Sequence, residues 1–138
     1  MKPARKASDA AVPIKNFLAS ILATREPGIR VALSLDSKWV PADSNGVATK
    51  PFIVVREDPG PMEWPIFTVP QIGVTVWSNG RTRSRELAAL CQGLLLAHRI
   101  PGITNVMAGS SILDDLDPDN GGRIAGFTVP VRIRTTPI

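Results

Sequence analysis

From Arg123 to Thr135 the chain alternates without a break: Phe127, Val129, Val131 and Ile133 are apolar, and Thr128, Pro130, Arg132 and Arg134 stand between them. Successive side chains of a strand point to opposite faces, so this pattern is a long strand with one buried side. Such a strand needs neighbours along its edges and a second layer over its apolar face. Other segments supply the neighbours. Ile29–Leu35 alternates, with Ile29, Val31, Leu33 and Leu35 on one side. Pro51–Arg56 is a short apolar run. Trp64–Trp77 is strand-like, most clearly where Ile72, Val74 and Val76 oppose Gly73, Thr75 and Trp77. Pro65 and Pro70 cannot donate to a ladder and imply an edge or bulge in its first half. Ile103–Met107 reads as one more short strand.

Two segments supply the second layer. Ile14, Phe17, Leu18, Ile21 and Leu22 follow the spacing of one apolar helix face. Pro13 suits the first turn, Asp9 or Ser8 can cap it, and Glu26-Pro27-Gly28 ends it. The second helix, Arg85–His98, places Leu87, Leu90, Cys91, Leu94, Leu95 and His98 on one face, with Ser84 or Thr82 as caps and Pro101-Gly102 beyond its end. The order is helix, strand, strand, strand, helix, strand, strand, and no two segments repeat. The expected fold is therefore α+β: a mixed or antiparallel β-sheet with two helices packed on one face. Residues 1–9 read as a flexible basic arm, and residues 10–138 as one domain. Asp36–Lys50 is long for a structureless connection, and such loops are functional or disordered.

A chain of 138 residues fits one domain, and 43% hydrophobic with 20% charged residues argues against bulk disorder. The net charge is +4, and the basic residues gather in three places: Lys2, Arg5 and Lys6; Arg81, Arg83 and Arg85; Arg132 and Arg134. None forms a run of five like charges, so a solvated surface is the first reading and a nucleic-acid contact the second. The single cysteine, Cys91, excludes an intramolecular disulfide and is consistent with a reducing compartment. No stretch approaches the ~20 apolar residues of a membrane span. The first ten residues lack the apolar core of a signal peptide, so neither a membrane partner nor general secretion is expected.

Candidate chemistry is sparse. Asp115, Asp117 and Asp119 match the first three ligand positions of a calcium loop, but Asn120 replaces its glycine and Gly126 its bidentate glutamate. A solvated acidic turn is the simpler reading. His98 suits a helix C-terminus, where a cation is favoured, and one histidine builds neither a triad nor a His-based metal site. Cys91 lies on an apolar stripe as a small hydrophobe. Asn79-Gly80-Arg81 before a helix could hold a phosphate, yet an ordinary strand-to-helix turn explains it equally. Glu57 and Asp58 lack a partner base. No catalytic residue, metal ligand or cofactor site is expected, and the chain reads as a non-enzyme. Trp39 and Trp64 sit in proline-flanked loops and Trp77 points away from the Ile72 face. Each is either an anchor folded back onto the domain or an anchor in a partner's pocket.

The helix Ile14–Thr24, the long inter-strand loop, the block Gln71-Ile72-Gly73-Val74-Thr75-Val76-Trp77 leading through Asn79-Gly80 into the helix Arg85–His98, and the final strand Phe127–Arg134 form a recognisable order. Over most of its length the chain resembles the tail terminator proteins of long-tailed bacteriophages, the actinobacteriophage ones especially. The resemblance implies a small α+β virion subunit, assembled in the host cytoplasm, that forms a hexameric ring at the neck-proximal end of the tail. The ring caps the tube of major tail protein, halts its growth, offers a surface to the neck proteins, and lets genome DNA pass through its lumen. It implies no catalytic residue. Head–tail connectors have similar size and element order and remain an alternative, as does a basic nucleic-acid-binding accessory protein. For a ring, the segments expected to touch neighbours are the loop Asp36–Lys50 and residues 1–9. Arg132 and Arg134 are expected to meet Asp114, Asp115 and Asp117 of a neighbour or to face the DNA.

Overall fold

A computed structural model describes residues 3–138. In chain order the elements are β1 (Arg5–Lys6), α1 (Ala11–Arg25), β2 (Arg30–Ala32), β3 (Phe52–Asp58), β4 (Met62–Glu63), β5 (Phe67–Thr68), β6 (Gln71–Ser78), α2 (Arg81–Ala97), β7 (Asn105–Val106), β8 (Leu113–Leu116), β9 (Arg123–Arg134) and β10 (Thr136–Pro137). The fold is α+β, with a mixed and mostly antiparallel sheet. No helix among the described residues is long and apolar enough to cross a membrane.

The alternating strand β9 is the spine. Along one edge β5 and β6 pair with it in a single unbroken register, from Phe67↔Arg134 to Ser78↔Arg123. Along the other edge run β7 and β8. Between these two the register shifts at Gly109, where the backbones close so tightly that an added Cβ would lie 2.1 Å from the Thr128 carbonyl oxygen. Both partner segments are discontinuous: Pro70 breaks β5 from β6, as expected of a proline there, and on the other edge Pro130, whose carbonyl accepts from the Met107 amide, faces the gap between β7 and β8.

Register explains which face is buried. Ile53–Val76–Ala125 and Val55–Val74–Phe127 are rows of directly opposed residues. They form one core with Ile14, Leu18 and Leu22 of α1 and Leu87, Cys91 and Leu95 of α2. The two helices therefore cover one face. The opposite face carries the rows Phe52–Trp77–Ile124, Val54–Thr75–Gly126 and Arg56–Gly73–Thr128. On the covered side, burial of these aliphatic side chains stabilises the fold by roughly 1.5–3 kcal/mol each.

Three local expectations change. The strand Ile29–Leu35 is cut to Arg30–Ala32, and Leu33 is exposed. It pairs parallel to β3. A parallel neighbour requires the chain to travel back to its starting end, and residues 33–51 make that return without a helix. Second, α2 begins at Arg81, so Ser84 is inside the helix and not its cap. Its buried hydroxyl donates to the Arg123 carbonyl at 2.7 Å and shares a hydrogen bond with Ser78 Oγ. Third, residues 3–9 do not form a free arm. Arg5 and Lys6 pair with β10, and Ser8 Oγ donates to the Arg134 carbonyl at 2.7 Å. Lys2 lies outside the described residues. Asp9 does cap α1, its carboxylate accepting from the Ala11 and Val12 amides.

Candidate assembly surface

β3–β4 and β5–β6 form one long hairpin that follows β9 to its end and turns at Trp64-Pro65-Ile66. The turn is apolar and open to solvent: Met62 is 61% exposed, Trp64 52% and Ile66 55%. A contiguous group of large apolar side chains left in water marks an interaction site more often than an isolated one does. The turn is nonetheless held firmly from behind. Thr135, 2% exposed, donates its hydroxyl to the Pro65 carbonyl at 2.5 Å and its amide to the Ile66 carbonyl at 2.9 Å. The same hydroxyl accepts from Arg5 Nε at 2.7 Å. Residues 3–9, β10 and the hairpin turn are thus clasped at one residue.

On the flank of the hairpin, Glu63 accepts from Arg132 Nη2 at 2.5 Å. The Arg132 guanidinium lies 3.9 Å from the Phe67 ring centre, with that of Arg134 at 5.7 Å. Arg132 is thereby engaged within its own chain, against the expectation that it meets a neighbour's acids. Those acids are also occupied. Asp114 pairs with Arg81 and, at 3.4 Å, with Arg85. Asp117 accepts from the Trp77 indole at 2.9 Å, and this bond holds its carboxyl below the usual aspartate value. Asp115 is exposed and caps the next amide, Leu116. The three carboxylates turn to three different partners and do not converge on a common point.

The tryptophans divide. Trp39 is 3% exposed, donates to the Lys50 carbonyl at 3.1 Å, and lies on Gly122, where a Cβ would come within 2.7 Å of its ring. It anchors the crossing loop to its own domain and is no interface residue. Trp77 is half-buried and locks the acidic turn. Only Trp64 presents its ring to solvent. Met62 and Ile66 belong to the same surface and were not singled out by sequence. Their signal was a proline-flanked tryptophan between two strands, with apolar residues two positions to either side.

The basic middle cluster is tied down as well. Arg83 forms a two-pronged pair with Glu26, at 2.8 and 3.3 Å, joining the end of α1 to the start of α2. Those bonds keep the Glu26 carboxyl below its ordinary range. Carboxylates thus occupy the surroundings of the helix start where a phosphate was considered. Burial alone pushes the Cys91 thiol up to about 12, which makes it inert. His98 caps α2, its ring 5.6 Å from Phe17.

A second apolar surface lies on α1. Between its outward side and Pro101 runs a cleft of about 600 Å³, walled by Val12, Pro13, Phe17 and Ile21. No protein-family model matches this sequence, and no curated protein matches it.

Proposed function

We propose that this chain is a structural subunit of a bacteriophage tail, a terminator that forms a ring on the end of the tail tube and stops its growth. The observation that carries the reading is the rigidly backed, solvent-exposed apolar turn at Met62, Trp64 and Ile66. A turn held by Thr135 and left apolar outside suits a permanent protein contact, which favours apolar and aromatic residues at its centre. The resemblance in element order supplies the rest: a hexamer, major tail tube protein on one side, neck proteins on the other, and DNA crossing the lumen without sequence readout.

The internal pairing of Arg81, Arg83, Arg85 and Arg132 with carboxylates weighs against the nucleic-acid-binding alternative, because phosphate binding draws on unneutralised cations. Light scattering on the eluting protein, then electron microscopy with and without tube protein, tests the proposal. Rings that cap tube ends are expected. Rings that bind only the portal side would make it a neck connector, and a strict monomer under all these conditions would remove the ring altogether.

A further inference from the structure

Resting on that ring reading, we infer that the ring contact is made by the hairpin turn of one copy seated in the α1 cleft of the next. Three observations meet here. The first is the apolar knob itself, Met62, Trp64 and Ile66, which the described residues leave in water. The second is the composition of α1. From Ala11 to Thr24 the only charged residue is Lys15. The side turned from the core is Val12, Asn16, Ser20 and Ala23, all exposed and none charged. The solvent face of a helix is ordinarily polar and charged, and this one carries no charge until Arg25 at its last position. The third is shape: the cleft against Pro101 is concave, apolar and large enough for an indole ring.

The knob and the cleft are different patches on different elements, so a contact between them is heterologous. Repeated around an axis, such a contact builds a ring when its rotation closes, without using any residue twice. A knob meeting its own copy would give a two-fold dimer instead. Another concave surface, over Gly126 on the uncovered sheet face, is lined by Leu113 and Ile124 but also by Arg56, Asp114, Asp115 and Thr128. It matches an apolar turn poorly, because those groups would lose water without gaining partners.

The test uses the full chain and two variants with one added cysteine each, Met62→Cys, which keeps Trp64, and Ser20→Cys, mixed and treated with a short bis-maleimide. Native Cys91 is fully buried and stays silent. The expected product is a bridge between the two different chains. Ser20→Glu, on an exposed position that leaves the core untouched, is expected to weaken assembly at least about tenfold, as is Trp64→Glu. Intact rings in both charge variants, or bridging of Met62→Cys to Thr128→Cys in place of Ser20→Cys, would overturn the contact while the ring stands. A wild-type chain that is monomeric with and without tube protein would overturn the ring and this contact together.

Discussion

Two excursions leave the body of this domain, and they are opposites. The loop of residues 33–51 is long, and its tip is tied to itself: Asp43 accepts from the Asn45 and Val47 amides, and Ala42 bridges Ala48. Its one tryptophan, Trp39, is turned inward. The hairpin of β4 and β5 is short, its tip is apolar, and its tryptophan, Trp64, is turned out. Length drew attention to the first as the segment that should meet neighbours. Yet its length has a topological cause, the return needed to lay β2 parallel to β3. Both leave aliphatic side chains in water, Leu33, Val40 and Val47 on the loop and Met62 and Ile66 on the hairpin, but only the hairpin adds an outward tryptophan. For finding a contact surface, what a protrusion exposes is a better guide than how far it strays.

The comparison can be broken most sharply at its two tryptophans. Trp39→Ala empties a packed site between the loop and Gly122 and is expected to cost about 3–5 kcal/mol in denaturant unfolding. A loss below ~1 kcal/mol would mean the loop is not anchored there. Next comes the clasp behind the hairpin. Thr135→Val keeps the shape and removes the hydroxyl shared by Arg5 and Pro65, so about 1–3 kcal/mol is expected, with faster amide exchange at Arg5 and Lys6. Unaltered exchange would show that the clasp does not hold the segment.

Acid should act on the loop side. Glu26 and Asp117 have folded-state values below their ordinary 4.5 and 3.8, through Arg83 and Trp77 respectively. Depressed carboxyls stabilise the fold above the unfolded-state values, and that stabilisation is lost as pH falls through the folded-state values. The thermal midpoint should therefore drop below about pH 4.5, and less steeply in Arg83→Ala or Trp77→Phe. An equal slope in both variants would discount these pairs. The smallest stability effects belong to the tips: Asn45→Ala and Trp64→Ala should each stay within ~0.5 kcal/mol. They should part company in light scattering, where Trp64→Ala alone weakens assembly.

Much of the sheet was legible because its signal is local. The alternation of Phe127, Val129, Val131 and Ile133 assigns the buried face of β9, and Ile72, Val74 and Val76 do the same for β6. Leu33 and Leu35 mislead because alternation records preference for a strand and says nothing of where a neighbour ends. Ser84 was taken for a cap because hydroxyls favour that place, while its actual partner, the Arg123 carbonyl, is distant in sequence. The same limit hid the fate of Arg132 and Asp117. Each charge finds its partner, Glu63 or Trp77, across strands whose register no single segment encodes. Residues 3–9 looked mobile for the same reason, since their hydrogen bonds go to residues 134–138.

The spine strand has a consequence for how the molecule comes into being. β5, β6, β7 and β8 all take their hydrogen-bonding partner from β9, which leaves the ribosome after every one of them. Until then the growing polypeptide can close only the β2–β3–β6 sheet, the β4–β5 turn and its helices, leaving open the edge of β6 that β9 will take. Such non-local pairing folds slowly. Because Thr135, which braces the turn at Trp64, follows β9 directly, that turn is fixed only when the sheet is complete, and a prematurely terminated translation product would carry it unbraced.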